Sequence, residues 1–234
     1  MQISLPIREV LPATPRARTV RLDLGDTTFP YLAGQALLVG SHGRERRRAY
    51  SIAGAPAESA RERCLELLVG VDENGQAGPH LDLRAGTIVD VEGPVGRFTF
   101  PAHPTERRFL FIAGGTGIAP LHAMLHEALT TPHDEIGVLY SARTPDEFAY
   151  ERELRELADH KRIELDLRVT RDVGLNDWQG GRGRIGREHL TPLVHGRATL
   201  CFVCGPRTLV EDIPKALAEL GVPRERIRTE EWGG

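Results

Sequence analysis

The stretch Phe109-Leu110-Phe111-Ile112-Ala113-Gly114-Gly115-Thr116-Gly117-Ile118-Ala119-Pro120 decides how the chain is read. Five apolar residues bounded by glycines predict a strand covered on both faces, as in a parallel sheet. Gly114, Gly115 and Gly117 permit φ > 0 and a close approach of ligand to backbone. Pro120 suits the first turn of a helix, where its missing N–H costs nothing. A helix started there aims unpaired N–H groups and a positive dipole end at the turn, a ready site for a phosphate or pyrophosphate. Glycine turns also end strands for packing reasons alone, so the neighbouring segments must arbitrate.

Strand-like runs at 109–113, 136–141, 163–170 and 198–204 alternate with helical patterns at 119–129, 146–159 and 206–219. Arg226-Ile227-Arg228-Thr229 offers a last strand. This rhythm predicts βαβ units and a parallel sheet with helices on both faces. Ligands of such sheets sit beyond the carboxyl ends of the strands. Those ends carry Tyr140-Ser141-Ala142-Arg143, then Val169-Thr170-Arg171-Asp172 with a polar loop to Gly183-Arg184, then Val203-Cys204-Gly205-Pro206. Arg143, Arg171 and Arg184 are thus expected near one edge, and Cys204 near the middle.

Upstream of residue 101 the pattern is different. Val20, Leu22 and Leu24 alternate with polar residues, as do Leu65, Leu67, Val69 and Val71, then Val89 and Val91, then Phe98 and Phe100. Each run predicts a strand with one buried face. Turn residues separate them at Ala33-Gly34, His42-Gly43, Ala55-Pro56, Glu73-Asn74-Gly75 and Gly93-Pro94, the last within an expected hairpin turn over Gly93-Pro94-Val95-Gly96. Several short strands at this spacing suggest an antiparallel barrel or sandwich. Leu81-Asp82-Leu83 offers a single helical turn inside it. In Arg46-Arg47-Arg48-Ala49-Tyr50-Ser51, strand alternation puts Arg46, Arg48 and Tyr50 on one face. Guanidinium groups beside an aromatic plane can grip a phosphate and cover a flat ring, although arginine runs are also ordinary solvated faces.

Composition narrows the function. The 234 residues carry a net charge of −3, which argues against general nucleic-acid binding. No apolar run approaches the roughly 18 residues of a membrane span, and the first residues lack the pattern of a secretory signal. Three cysteines cannot all pair, so a reducing cytoplasm is the expected home.

Arg48-Ala49-Tyr50-Ser51 resembles the R-x-Y-S flavin motif of the ferredoxin–NADP⁺ reductase superfamily. Gly114-Gly115-Thr116-Gly117-Ile118-Ala119-Pro120 resembles its G-G-T-G-I-A-P nucleotide loop, and Cys204-Gly205-Pro206 its C-G-P motif. Order and spacing agree across nearly the whole chain. The resemblance implies a six-stranded antiparallel FAD-binding β-barrel over residues 1–101, followed over 105–234 by a Rossmann-like parallel-sheet domain for NAD(P). It implies that Arg48 pairs with the FAD pyrophosphate, Tyr50 lies along the flavin and ribityl chain, and Ser51 sits near flavin N5. Gly114 to Gly117 would cradle the dinucleotide, with Thr116 and Cys204-Gly205-Pro206 by the nicotinamide; Cys204 would position it rather than attack. Glu230-Glu231-Trp232 resembles a terminal A-E-Q-W segment, which would set Glu230 by the flavin edge.

There are departures. Where the family often has G-x-x-S/T at the FAD phosphates, Gly75-Gln76-Ala77-Gly78 ends in glycine, leaving backbone contacts only. No terminal tyrosine stacks on the flavin, and whether Trp232 covers the ring stays open. No cysteine-rich segment can hold an iron–sulfur cluster. The resemblance therefore implies an FAD-dependent NAD(P)H oxidoreductase passing electrons to a separate carrier such as ferredoxin or flavodoxin. A reductase component of an oxygenase, a free flavin or ferric reductase, and a non-autonomous flavin-binding electron-transfer subunit are the rivals. A clamp of Arg143, Arg171 and Arg184 on a 2′-phosphate favours NADPH over NADH, and a basic rim of Arg44, Arg46 and Arg47 is offered to an acidic carrier. Cys201 and Cys204 have C-x-x-C spacing but lie on a strand end. His122 and His126 have the i, i+4 spacing of a metal pair but lack the zinc-hydrolase glutamate, so a surface or helix-packing role is expected and no metal.

Overall fold

A computed structural model describes residues 1–171, 177–194 and 198–232. The chain divides into two compact units, Met1–Phe100 with His122–Glu127, and Pro101–Leu121 with Ala128–Gly234.

The first unit is one antiparallel sheet of six strands: β1 (Gln2–Thr14), β2 (Ala17–Asp23), β3 (Ala36–Ser41), β4 (Arg48–Ser51), β5 (Cys64–Gly70) and β6 (Ile88–Val95), ordered β4-β3-β6-β1-β2-β5. Just past β4 the chain meets the other edge strand, β5, through a bridge between Ile52 and Leu67 and a 2.8 Å backbone bond from the Ala53 N–H to the Glu66 carbonyl. The sheet therefore closes on itself as a barrel at that point. Inside, Leu22, Leu37, Val39, Ile52, Leu65, Leu67, Val89 and Val91 form one apolar cluster. Each such side chain contributes about 1.5–3 kcal/mol on burial.

Several local expectations fail here. Phe98 and Phe100 are buried, but in an extended segment outside any ladder. The hairpin turn expected at Gly93–Gly96 is the end of β6, carried past a register shift opposite Ala36–Leu38. Leu81-Asp82-Leu83 forms no helix, whereas Ala55-Pro56 opens one, α1 (Pro56–Glu62), with proline in its first turn.

The second unit is a six-stranded parallel sheet: β7 (Arg108–Gly114), β8 (Glu135–Ala142), β9 (Glu164–Val169), β10 (Gly181–Arg182), β11 (Thr199–Gly205) and β12 (Ile227–Glu231). With it go α3 (Glu151–Asp159), α4 (Arg187–Leu190) and α5 (Arg207–Glu219), while α2 (Ile118–Thr130) is divided, its His122–Glu127 segment belonging to the first unit. Strand order is β10-β9-β8-β7-β11-β12. Every residue of β7 after Arg108 is buried, as a central strand covered on both faces must be. The chain runs outward from β7 to β10, then returns to lay β11 on the other side of β7. The carboxyl ends of β7 and β11 therefore flank the topological switch point, the place where open α/β sheets bind ligands.

Candidate cofactor sites

At the switch point, backbone meets backbone. A Cβ on Gly117 would lie 2.4 Å from the Cys204 carbonyl oxygen, and one on Gly205 would lie 3.0 Å from the Gly114 Cα. A Cβ on Gly114 would strike the Pro206 ring at 2.7 Å. These three glycines are packing requirements of the G-G-T-G and C-G-P segments. Gly115 is different: it has φ +54° and nothing within 4 Å of its would-be Cβ. It is exposed and Thr116 half-buried, and together with Gly117 they form a 3₁₀ turn leading straight into α2. An open glycine with φ > 0 before a helix start fits the diphosphate of a dinucleotide.

The turn is braced by a residue the sequence reading passed over. Tyr140, fully buried on β8, donates its hydroxyl to the Gly115 carbonyl at 3.0 Å and accepts from the Ala149 N–H at 3.3 Å. Phe148 meets Tyr140 edge-on and stacks on Trp178 with centroids 5.5 Å apart. Nothing in the local pattern distinguishes Tyr140 from an ordinary core aromatic.

Cys204 pairs in register with Glu230 on β12, and the N–H of Trp232 donates to the Gly205 carbonyl at 2.9 Å. Glu230 is half-buried, and its Oε2 is buried without a hydrogen-bond partner among the described residues. Desolvation pushes its carboxyl up to about 7. Desolvation, then the neighbouring Glu230 carboxylate, holds the Cys204 thiol far above its ordinary value. A thiol kept protonated is no nucleophile. Cys201 is also buried, its thiol pushed up to about 12, and all three cysteines are free.

At the sheet's other edge the Arg171 N–H donates to the Arg143 carbonyl at 2.9 Å, and the Gly183 N–H to the Val169 carbonyl at 2.9 Å. The backbone thus gathers Arg143, Arg171 and the Arg182–Arg184 segment at the ends of β8, β9 and β10, with Arg143, Arg171 and Arg184 exposed. Asp172 lies outside the described residues.

In the barrel unit, Arg48 and Ala49 are exposed while Tyr50 and Ser51 are both buried. The expected alternation is lost because β4 is short and lies where the barrel closes. Ser51 Oγ is buried with no partner among the described residues. Gly75 and Gly78 have φ of +75° and +99°, in a loop where Asp72 Oδ1 accepts from the N–H groups of Asn74 and Gln76 at 2.9 and 2.8 Å. An orphaned hydroxyl, an exposed guanidinium and a glycine loop are a donor set that fits a flavin with its phosphates. Tyr50 makes a contact that the motif does not announce: its hydroxyl lies 2.6 Å from His80 Nε2. Arg44 and Arg46 are exposed, but Arg47 turns to Glu92 at 3.1 Å and does not belong to a free rim.

His122 and His126 each have one ring nitrogen engaged. His122 Nδ1 donates to the Ala53 carbonyl at 2.8 Å, and His126 Nδ1 lies 2.7 Å from Glu58 Oε1.

Comparison with known proteins agrees with this geometry. Residues 5–100 match the oxidoreductase FAD-binding domain model, and residues 111–215 the oxidoreductase NAD-binding domain model. The chain is 33% identical to ferredoxin–NADP reductase B of Sorangium cellulosum over 238 residues, 95% of this chain and 94% of that protein. It is 29% identical to NADH-cytochrome b5 reductase 1 of Debaryomyces hansenii, covering 69% of this chain and 58% of that protein, so it spans under two thirds of that relative's length. Among solved structures, a cytochrome P450 reductase of Amycolatopsis superposes with a TM-score of 0.85 at 26% identity, over 99% of this chain and 69% of that one. The chain belongs to the ferredoxin–NADP⁺ reductase superfamily. Within that class it is an FAD-dependent NAD(P)H oxidoreductase.

Proposed function

We propose that the protein carries electrons from NADPH, through FAD, to a separate acidic carrier of the ferredoxin or flavodoxin kind. When bound, FAD supplies the hard chemistry, accepting a hydride from the nicotinamide and releasing its electrons singly. The chain's own residues bind, orient and hold protons. In this reading residues 1–101 hold FAD and residues 105–234 hold NAD(P). Arg48 grips the FAD pyrophosphate, with backbone help from Ala49, Gly75 and Gly78. Tyr50 lines the flavin seat, and Ser51 offers its orphaned hydroxyl to the ring edge. Gly114, Gly115, Thr116 and Gly117 cradle the dinucleotide, and Cys204, Gly205 and Pro206 shape the nicotinamide pocket. Glu230 stores a proton near neutral pH. The observation that carries the reading is the open, positive-φ Gly115 at the switch point, ahead of the helix start.

The arginines gathered at the β8–β10 edge support NADPH, because charge-assisted contacts of about 1.5–3 kcal/mol each set a preference on the order of a hundredfold or more. Exposed Arg44 and Arg46 support an acidic partner, and three buried unpaired thiols support a reducing cytoplasm. The carrier is tested by comparing reduction of ferredoxin, flavodoxin and cytochrome b5 at low and high salt. Rates with ferredoxin or flavodoxin should be highest and fall with salt. A salt-independent rate, or preference for cytochrome b5, rejects the assignment. Likeness to the cytochrome P450 reductase favours, as a second reading, service as the reductase component of an oxygenase.

A further inference from the structure

His80 is only 1% exposed, a polar side chain sunk in the barrel unit. Its carbonyl accepts from the Ser41 N–H at 2.8 Å and the Ser41 hydroxyl at 3.1 Å, so its backbone is pinned to the end of β3. Its ring runs nearly parallel to that of Tyr50, 12° between planes and 6.0 Å between centroids, with Nε2 on the phenol oxygen at 2.6 Å. Nδ1 is the anomaly. It is buried and finds no partner among the described residues. Opposite it stands Gly78, where a Cβ would lie 3.5 Å from Nδ1. Orphaned buried polar atoms are costly, and an apolar ring would fill the same volume without that cost. What an apolar ring lacks is the bond to the Tyr50 hydroxyl.

We propose that His80 is a positioning residue for the flavin: it locks the Tyr50 phenol in one orientation and polarises its hydroxyl, and so sets the affinity and the spectrum of bound FAD. The inference rests on reading the barrel as the FAD site. Both partners are neutral at neutral pH. Burial lowers the proton affinity of His80, helped by Arg48 and Arg46. Burial also pushes the Tyr50 phenol up to about 12, against the opposing pull of Arg48. A single short bond between neutral groups in a dry site fixes both the ring plane and the direction of the hydroxyl hydrogen. Tyr50 belongs to β4, next to exposed Arg48 and orphaned Ser51 Oγ, so its orientation is felt where the flavin would lie.

The test titrates apo-protein with FAD, following flavin fluorescence, visible absorption and midpoint potential, in wild type, His80→Phe, His80→Gln and Tyr50→Phe backgrounds. His80→Phe should raise the FAD Kd about tenfold and shift both the flavin band and the potential. His80→Gln, which keeps a hydrogen-bonding side chain, should recover most of both. In the Tyr50→Phe background His80→Phe should add little, since the two act as one unit. Unchanged Kd and spectrum, or shifts that persist undiminished in the Tyr50→Phe background, would overturn the role. Should His80→Phe not fold, imidazole ¹⁵N shifts of wild type decide: His80 must respond to FAD, and an unmoved His80 overturns the proposal. If wild type takes up no FAD, the flavin reading fails as well; uptake with an indifferent His80 sinks the positioning role alone.

Discussion

Cys204 and Glu230 occupy the same rung of the parallel pair β11–β12, and burial drives both side chains toward their neutral forms. A protonated thiol and a carboxyl poised near neutrality sit beside the glycine turn's closest backbone contact, because Gly117 packs against the carbonyl of that same Cys204. Glu230 can take up or release a proton near neutral pH, while the thiol keeps its own. It is not equipped for covalent attack.

The Glu230 carboxyl rises from 4.5 to about 7 on folding. Between those values the folded chain holds more proton than the unfolded chain, so this group's contribution to stability falls as pH rises and stays low above about 7. Glu230→Gln should therefore melt higher than wild type near pH 8 and show no gain near pH 4. Each kcal/mol recovered corresponds to about 2–4 °C in a chain of this size. A wild-type advantage at the higher pH would show that an unseen partner stabilises the carboxylate.

Gly117 and Gly115 separate two reasons for glycine. Gly117→Ala forces a Cβ onto backbone atoms of Cys204 and Gly205, and should cost about 1–3 kcal/mol in urea unfolding. Gly115→Ala meets open space and should cost only the left-handed backbone penalty of about 1–2 kcal/mol, while weakening nucleotide binding through its new methyl. Wild-type nucleotide affinity in Gly115→Ala would remove the turn from the binding site.

Much of this was legible in sequence, for identifiable reasons. β7, its glycine turn and the alternation after residue 101 announced themselves because a parallel sheet imposes continuous apolar runs. The barrel was harder. β1 was unreadable as a 13-residue strand because Pro6, Arg8, Glu9 and Pro12 interrupt its pattern. Phe98 and Phe100 imitated strand alternation while only packing against the core. His80 and Tyr140 escaped because their partners, Tyr50 and Gly115, lie 30 and 25 residues away. Spacing reports nothing about pairs at that distance, nor about the desolvation of Glu230.

All three thiols are buried and held protonated by desolvation. A disulfide-exchange reagent should label none of them in the native protein at mildly alkaline pH and all three after unfolding. Rapid native labelling at Cys201 or Cys204 would revive a redox dithiol.

Arg143→Ala combined with Arg184→Ala should raise KM for NADPH on the order of a hundredfold and leave KM for NADH nearly unchanged. Equal effects on both nucleotides would remove the 2′-phosphate clamp.

The most direct test of the central claim mixes FAD-loaded protein with NADPH and with NADH, separately and anaerobically, in a stopped-flow spectrometer. The yellow flavin band should bleach with both nucleotides, at lower concentrations of NADPH. A flavin that is taken up and keeps its colour with either nucleotide would contradict the claim that this chain passes electrons from NAD(P)H to FAD.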